Sequence, residues 1–346
     1  MPSSPESAAP QPGFDPCLQI QVDLSAMLDG ELDPASVRRV MVHSDVCGNC
    51  RTFLNGIRQQ ARLHRALAAT EVGAKVPADG GDGVAAERVD RLREQLTANR
   101  RRLSRILYEL GRCFVLMGLS PDFSREVAKE PVPVPDMALR GRNLLDEVAR
   151  SEGAVGAEWV TARELFDGQL RSPEENLAKG QRLLTECLSL DPELHEARIY
   201  IGLVHYVRGQ RALSRKQFAS VLQATDDRVL RGYALLNLGN LSLDEGDCDR
   251  AVQLLLELVE SGIPQEQPRM MPTAYFNLGL AYGFKGEFGE CARWFGRLHE
   301  ETPHRRGWAA RELGRRSQFL HLIRSNPDAR VVAEAFPAWF QAAAGA

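Results

Sequence analysis

Seven cysteines in 346 residues are too few for a disulfide framework, and aromatic residues make up only 7% of the chain. No apolar run approaches the roughly 20 residues that a membrane-spanning helix needs. Residues 1–16 are rich in proline and serine and lack a basic start followed by an apolar core, so no export signal is read there. Phosphate-cradling glycine loops, nucleophile elbows and paired catalytic carboxylates are missing, so no enzyme is expected. With a net charge of −3 and no DNA-reading motif, neither a membrane nor direct nucleic-acid binding is expected. These absences leave a cytoplasmic protein of ordinary globular composition, 44% hydrophobic and 26% charged. In a reducing compartment, clustered cysteines point to metal or redox chemistry.

Length alone suggests two or three domains. Residues 1–16 read as a disordered tail. A small domain spans 17–70, in three helical pieces. The first covers about Cys17–Leu28, and Asp29-Gly30 marks a turn. The second starts at Asp33, a good N-cap, with Pro34 in the first helical position, and runs to about Val46. Gly48-Asn49 reads as an interruption, followed by a third helix over Cys50–Ala69. Residues 71–83 read as a flexible linker.

Residues 84–118 form one long helix. Its seam of Val89, Leu92, Leu96, Asn99, Leu103, Ile106, Leu110, Cys113 and Met117 alternates at spacings of three and four. Asn99 in such a seam would specify a pairing, with a partner or with a second copy of the chain in a homodimer. The Arg100-Arg101-Arg102 run reads as a solvated face. Residues 119–136 read as a Pro-rich linker, ending in a stiff extended spacer at 130–136. Further helices are expected over 137–150, 157–168 and 173–190.

From about residue 193 the chain repeats. Gly202, Gly239 and Gly279 align, and seven residues later stand Gly209, Gly246 and Gly286. Twelve residues after each first glycine comes a small residue, Ser214, Ala251 or Cys291; sixteen after it comes Phe218, Leu255 or Phe295. The physical reading is a helix–turn–helix unit used three times: the first glycine lets helices approach, the second makes the turn. The pattern resembles the tetratricopeptide repeat (TPR). Longer turns are expected near Asp226–Asp227 and Ile263–Gln267, an incomplete repeat before them with Gly168, Leu184, Cys187 and Pro192 at matching positions, and a capping helix over 307–324. The repeat domain is drawn as 137–330, with 331–346 a tail. A TPR-like groove would bind an unidentified protein or peptide, and Asn237 and Asn277, two residues before their glycines, are candidate contacts.

Chemistry concentrates at Cys17, His43, Cys47 and Cys50. His43 and Cys47, four apart, share one helix face, and Cys50 follows three residues on. Cys17 can fold back to supply a fourth ligand. Three cysteines and one histidine make a closed structural set for one zinc ion (Zn2+). A core of about 50 residues is marginal alone, so the metal would carry much of its folding energy.

The sequence Leu24-Ser25-Ala26-Met27-Leu28-Asp29-Gly30-Glu31-Leu32, then His43-x3-Cys47-x2-Cys50 and Arg51, resembles the zinc-binding anti-sigma factors. Cys17 stands where that family often places its remaining ligand. The resemblance implies a transcription regulator that sequesters an extracytoplasmic-function sigma factor. The alternative is a TPR scaffold whose zinc domain is purely structural and has no sigma-factor partner. Taken together, the expected fold is all-α: a small zinc-stapled helical domain, a long connecting helix and a TPR-like α-solenoid.

Overall fold

The computed structural model describes residues 15–29, 33–71, 83–129, 131–135, 157–161, 172–263 and 267–342. The fold is all-α, apart from one small two-stranded ribbon. Two compact units divide the chain, Met1–Tyr200 and Ile201–Ala346.

Three short-loop helices open the first unit: α1 (Pro16–Asp29), α2 (Pro34–Val46) and α3 (Gly48–Glu71). α1 starts at a proline in its first position, and the Asp15 carboxylate accepts from the Cys17 amide at 2.9 Å. Ile20, Leu24 and Met27, spaced by four and three, form its buried stripe. α2 starts as its sequence dictates: the Asp33 carboxylate accepts from the Ala35 and Ser36 amides at 2.8 and 3.1 Å. The interruption expected at Gly48-Asn49 lies one residue earlier. Cys47 alone is extended (φ −77°, ψ 121°), and Gly48 already begins α3. With one residue between them, α2 and α3 must turn sharply at a metal-ligand candidate.

The long helix α4 runs Gly83–Leu119. Its seam is buried from Leu103 to Met117, while Asn99 stands exposed on the surface of the chain. What covers Leu103–Met117 is the chain itself. After α5 (Pro121–Lys129), strand β1 (Pro131–Pro135) pairs antiparallel with β2 (Ala157–Thr161), Val132 opposite Val160, and Val132 is fully buried. Two sequence expectations are corrected here. The stretch 119–136 holds a helix and a strand rather than a linker, and 157–161 is strand rather than helix; 137–150 and 162–168 lie outside the described residues. So do most of the 1–16 tail and the 71–83 linker.

Helix α6 (Pro173–Leu190) then packs along α4. Its start is a capping box, in which Ser172 Oγ accepts from the Glu175 amide while the Glu175 carboxylate accepts from the Ser172 amide. The two helices nearly touch through glycine. A Cβ on Gly180 would stand 2.7 Å from the Gly111 carbonyl oxygen and 2.9 Å from the Val115 amide nitrogen. Both are backbone atoms, which cannot rotate away. Gly180→Ala is therefore expected to cost about 2–3 kcal/mol, although alanine is the better helix former by about 1 kcal/mol. Urea unfolding of the full chain measures this; an unchanged midpoint would mean that α4 and α6 are not packed so closely.

Past α7 (His195–Val207), the second unit is built from α8 (Arg211–Ala224), α9 (Arg228–Asp244), α10 (Cys248–Glu260), α11 (Met271–Phe284) and α12 (Phe288–Glu301). Gly209, Gly246 and Gly286 all take positive φ, 70°, 81° and 80°, and make the turns within the units. The first glycine of each unit lies against the bulky residue sixteen further on. A Cβ on Gly202 would fall 2.5 Å from Phe218, and one on Gly239 2.7 Å from Leu255; Gly279 meets Phe295 in the same way. Ser214 Oγ, fully buried, donates to the Gly202 carbonyl at 3.0 Å.

The capping segment is two helices rather than one, α13 (Arg306–Gly314) and α14 (Ser317–Ser325). The expected tail continues into α15 (Arg330–Ala335) and α16 (Pro337–Ala342), which bury Phe336, Trp339 and Phe340. Phe336 and Trp339 stack at 4.9 Å and both pack edge-on against Phe295. These aromatics close the end of the last repeat.

Candidate metal centre

Cys17 lies in the first turn of α1, His43 in the last turn of α2, Cys47 between α2 and α3, and Cys50 in the first turn of α3. Each helix end delivers its ligand to one point. One ligand atom from each of the four residues lies within 4.8 Å of the other three. Cys17 Sγ stands 3.6 Å from Cys47 Sγ and 3.9 Å from His43 Nε2. A tetrahedral zinc with Zn–S of about 2.3 Å and Zn–N of about 2.05 Å requires S···S of about 3.8 Å and S···N of about 3.6 Å. These two separations match that shell to within about 0.3 Å, and all four ligand atoms fall inside 4.8 Å of one another.

Burial sharpens the fit. His43 and Cys50 are fully buried, and Cys47 nearly so. Burial pushes the Cys17 thiol up to about 11, helped by its hydrogen bond to Cys47, and pushes Cys50 up as well, with neighbouring Cys47 and Cys17 adding to it. Without a cation these sulfurs hold their protons; a divalent cation reverses the balance and takes the thiolates as ligands. Three soft sulfurs and one imidazole, with all four positions filled by protein, suit one structural zinc and leave no open position for catalysis. Cys17, His43, Cys47 and Cys50 would hold the ion, and what it supplies is cross-linking of three helices.

Two further residues support the site. Arg51, one residue past the last ligand, donates to the Asp45 carbonyl. Lys179 of α6 pairs with the Asp45 carboxylate and lies 4.2 Å from the centre of the Phe114 ring. The end of α2 is thereby fixed from the far side by a residue 134 positions away, a link that no local pattern in the sequence reveals.

The other candidates separate. Asn237 donates to the carbonyl of Tyr233 in its own helix, at 2.7 Å. Asn277 is buried and donates to Asn240 Oδ1, so Asn240 is the neighbour that sequence reasoning missed. Asn240, Asn277, Trp308 and Arg316 line a cleft of about 160 Å³.

Compared with known families, residues 17–51 match the model of the family described as "Putative zinc-finger". The match covers the tetrad and the turn between α2 and α3. No curated protein matches the chain.

Proposed function

We propose that the chain is an anti-sigma factor: a cytoplasmic, non-catalytic transcription regulator that sequesters an extracytoplasmic-function sigma factor through its zinc module. The observation that carries this reading is the four-ligand cluster on three helix ends, within the stretch that matches the zinc-finger family. That family is typical of anti-sigma factors. Thiolate ligands fit a reducing compartment. Among the described residues, no helix is long and apolar enough to cross a membrane. Around the site, Leu18 and Val22 on α1 and Phe53 on α3 are 59, 54 and 39% exposed, apolar surface of the kind a partner's helices cover. In this reading the second unit is a TPR-like module for protein binding, supported by its paired glycines and by the cleft at Asn240 and Asn277.

A scaffold with a purely structural zinc is the second reading. Its support is the closed shell, in which no ligand position is free for signalling. Capture from the native cell under reducing conditions separates the two. The bait is the full chain, because residues 1–118 alone would strip α6 from Leu103–Met117. Zinc-loaded wild type is expected to retain a sigma factor at one per chain, and Cys47→Ser to retain none. A folded, zinc-loaded chain that holds no sigma factor leaves the scaffold.

A further inference from the structure

A cleft of about 470 Å³ lies between α3 and α6, lined by Arg58 and Arg62 on α3 and by Gln181, Arg182, Thr185, Glu186 and Ser189 on α6. That volume is in the range of small-molecule sites. Three guanidinium groups and one carboxylate line it, leaving two positive charges unmatched. Glu186 already behaves as an internal anion there. Its Oε2 accepts from Arg58 Nε at 2.9 Å and Nη2 at 2.7 Å, and its Oε1 lies 3.3 Å from Arg62 Nη2. The carboxylate is 12% exposed, whereas Arg62 is 61% exposed and keeps donors free to turn outward. Arg182, on the α6 wall, is exposed and makes no ion pair among the described residues.

We infer that this cleft binds the phosphoryl group of a small ligand. Arg62 and Arg182 would hold the oxyanion, and Glu186 would be the internal competitor that sets the affinity. Arginine suits the role because its planar fork matches a tetrahedral oxyanion with two parallel donors. A phosphomonoester carries about −1.5 to −2 charges at neutral pH, the same magnitude as the unmatched charge on the cleft walls. The site is separate from the zinc ligands and independent of the sigma-factor reading.

Calorimetric titration of the zinc-loaded full chain, at constant ionic strength in chloride, tests it with inorganic phosphate and with glycerol 3-phosphate. Wild type is expected to bind at one per chain. Tighter binding of glycerol 3-phosphate would assign the site to a monoester, and equal binding to free phosphate. Arg182→Gln should weaken binding about fivefold, and Glu186→Gln should tighten it by a similar factor. The sign of the Glu186 effect is decisive. A purely structural Glu186 would give a variant with lowered thermal stability and weaker or unchanged binding. That result, or no saturable binding to either wild type or Glu186→Gln while both remain folded, overturns the proposal.

Discussion

Stripping zinc from the full-length chain with a chelator is expected to unfold α1–α3 while leaving the second unit folded. The magnitudes favour a large effect. Among the described residues, the buried aliphatic and methionine side chains of α1 and α2 are Ile20, Leu24, Met27, Val37, Val40, Met41 and Val42, and a structural zinc in a small domain is worth about 10–16 kcal/mol of folding free energy at neutral pH. Packing of that size cannot replace the ion. α4 and α6, locked at Gly111 and Gly180, should survive, so the loss is partial. Circular dichroism should fall by the helical content of α1–α3, and limited proteolysis should open sites within 17–71. Cys50→Ser is expected to reproduce the effect without chelator, because the replacement places a poor ligand in a fully buried position. A chelated chain with unchanged helicity and protection would mean that the cluster is held by packing alone.

Phe295→Ala should be the most damaging single truncation in the second unit, at about 3–5 kcal/mol. The ring is fully buried and lies 5.7–6.2 Å, centre to centre, from Phe276, Phe319, Phe336 and Trp339. It also fills the space that Gly279 leaves open. Removing it strips the last repeat and the C-terminal helices of a shared contact. Gly279→Ala attacks the same joint from the other side, so the two costs should not add: in the double variant the new methyl occupies part of the cavity, and a coupling of about 1–2 kcal/mol is expected. Urea denaturation of the four proteins of this cycle measures it. Additive costs would place Gly279 and Phe295 apart.

Much of this was readable from local chemistry. Asp33 followed by Pro34 favours a helix start, because the carboxylate caps the first free amides and the proline ring presets a helical φ. The glycine pairs were legible because one job needs positive φ and the other needs a missing side chain, and little besides glycine does either. The zinc ligands were legible because metal geometry constrains spacing. What stayed hidden depends on distant chain. Pro131, Pro133 and Pro135 read as a stiff spacer, but proline at alternate positions is compatible with one edge of a strand, since the amides of Val132 and Val134 remain. Its partner, Ala157–Thr161, is too short to carry a periodicity. The heptad reading of α4 found the stripe that is buried from Leu103 to Met117 but not the width of the buried face. The buried face broadens toward the C-terminal half, taking in Leu107, Phe114 and Val115, because α6 covers one side and the zinc module another. The pairs Lys179–Asp45 and Glu186–Arg58 span 134 and 128 residues, and only folding brings them together.

The central claim is that the ends of three helices close on one zinc ion. Zinc K-edge X-ray absorption of the full-length chain, purified under reducing conditions with its metal content determined, tests it most directly. One zinc per chain is expected, with three sulfurs at about 2.3 Å and one nitrogen at about 2.0–2.1 Å, and with one sulfur lost in Cys17→Ser. A shell dominated by oxygen and nitrogen, or a Cys17→Ser spectrum identical to wild type, would contradict it.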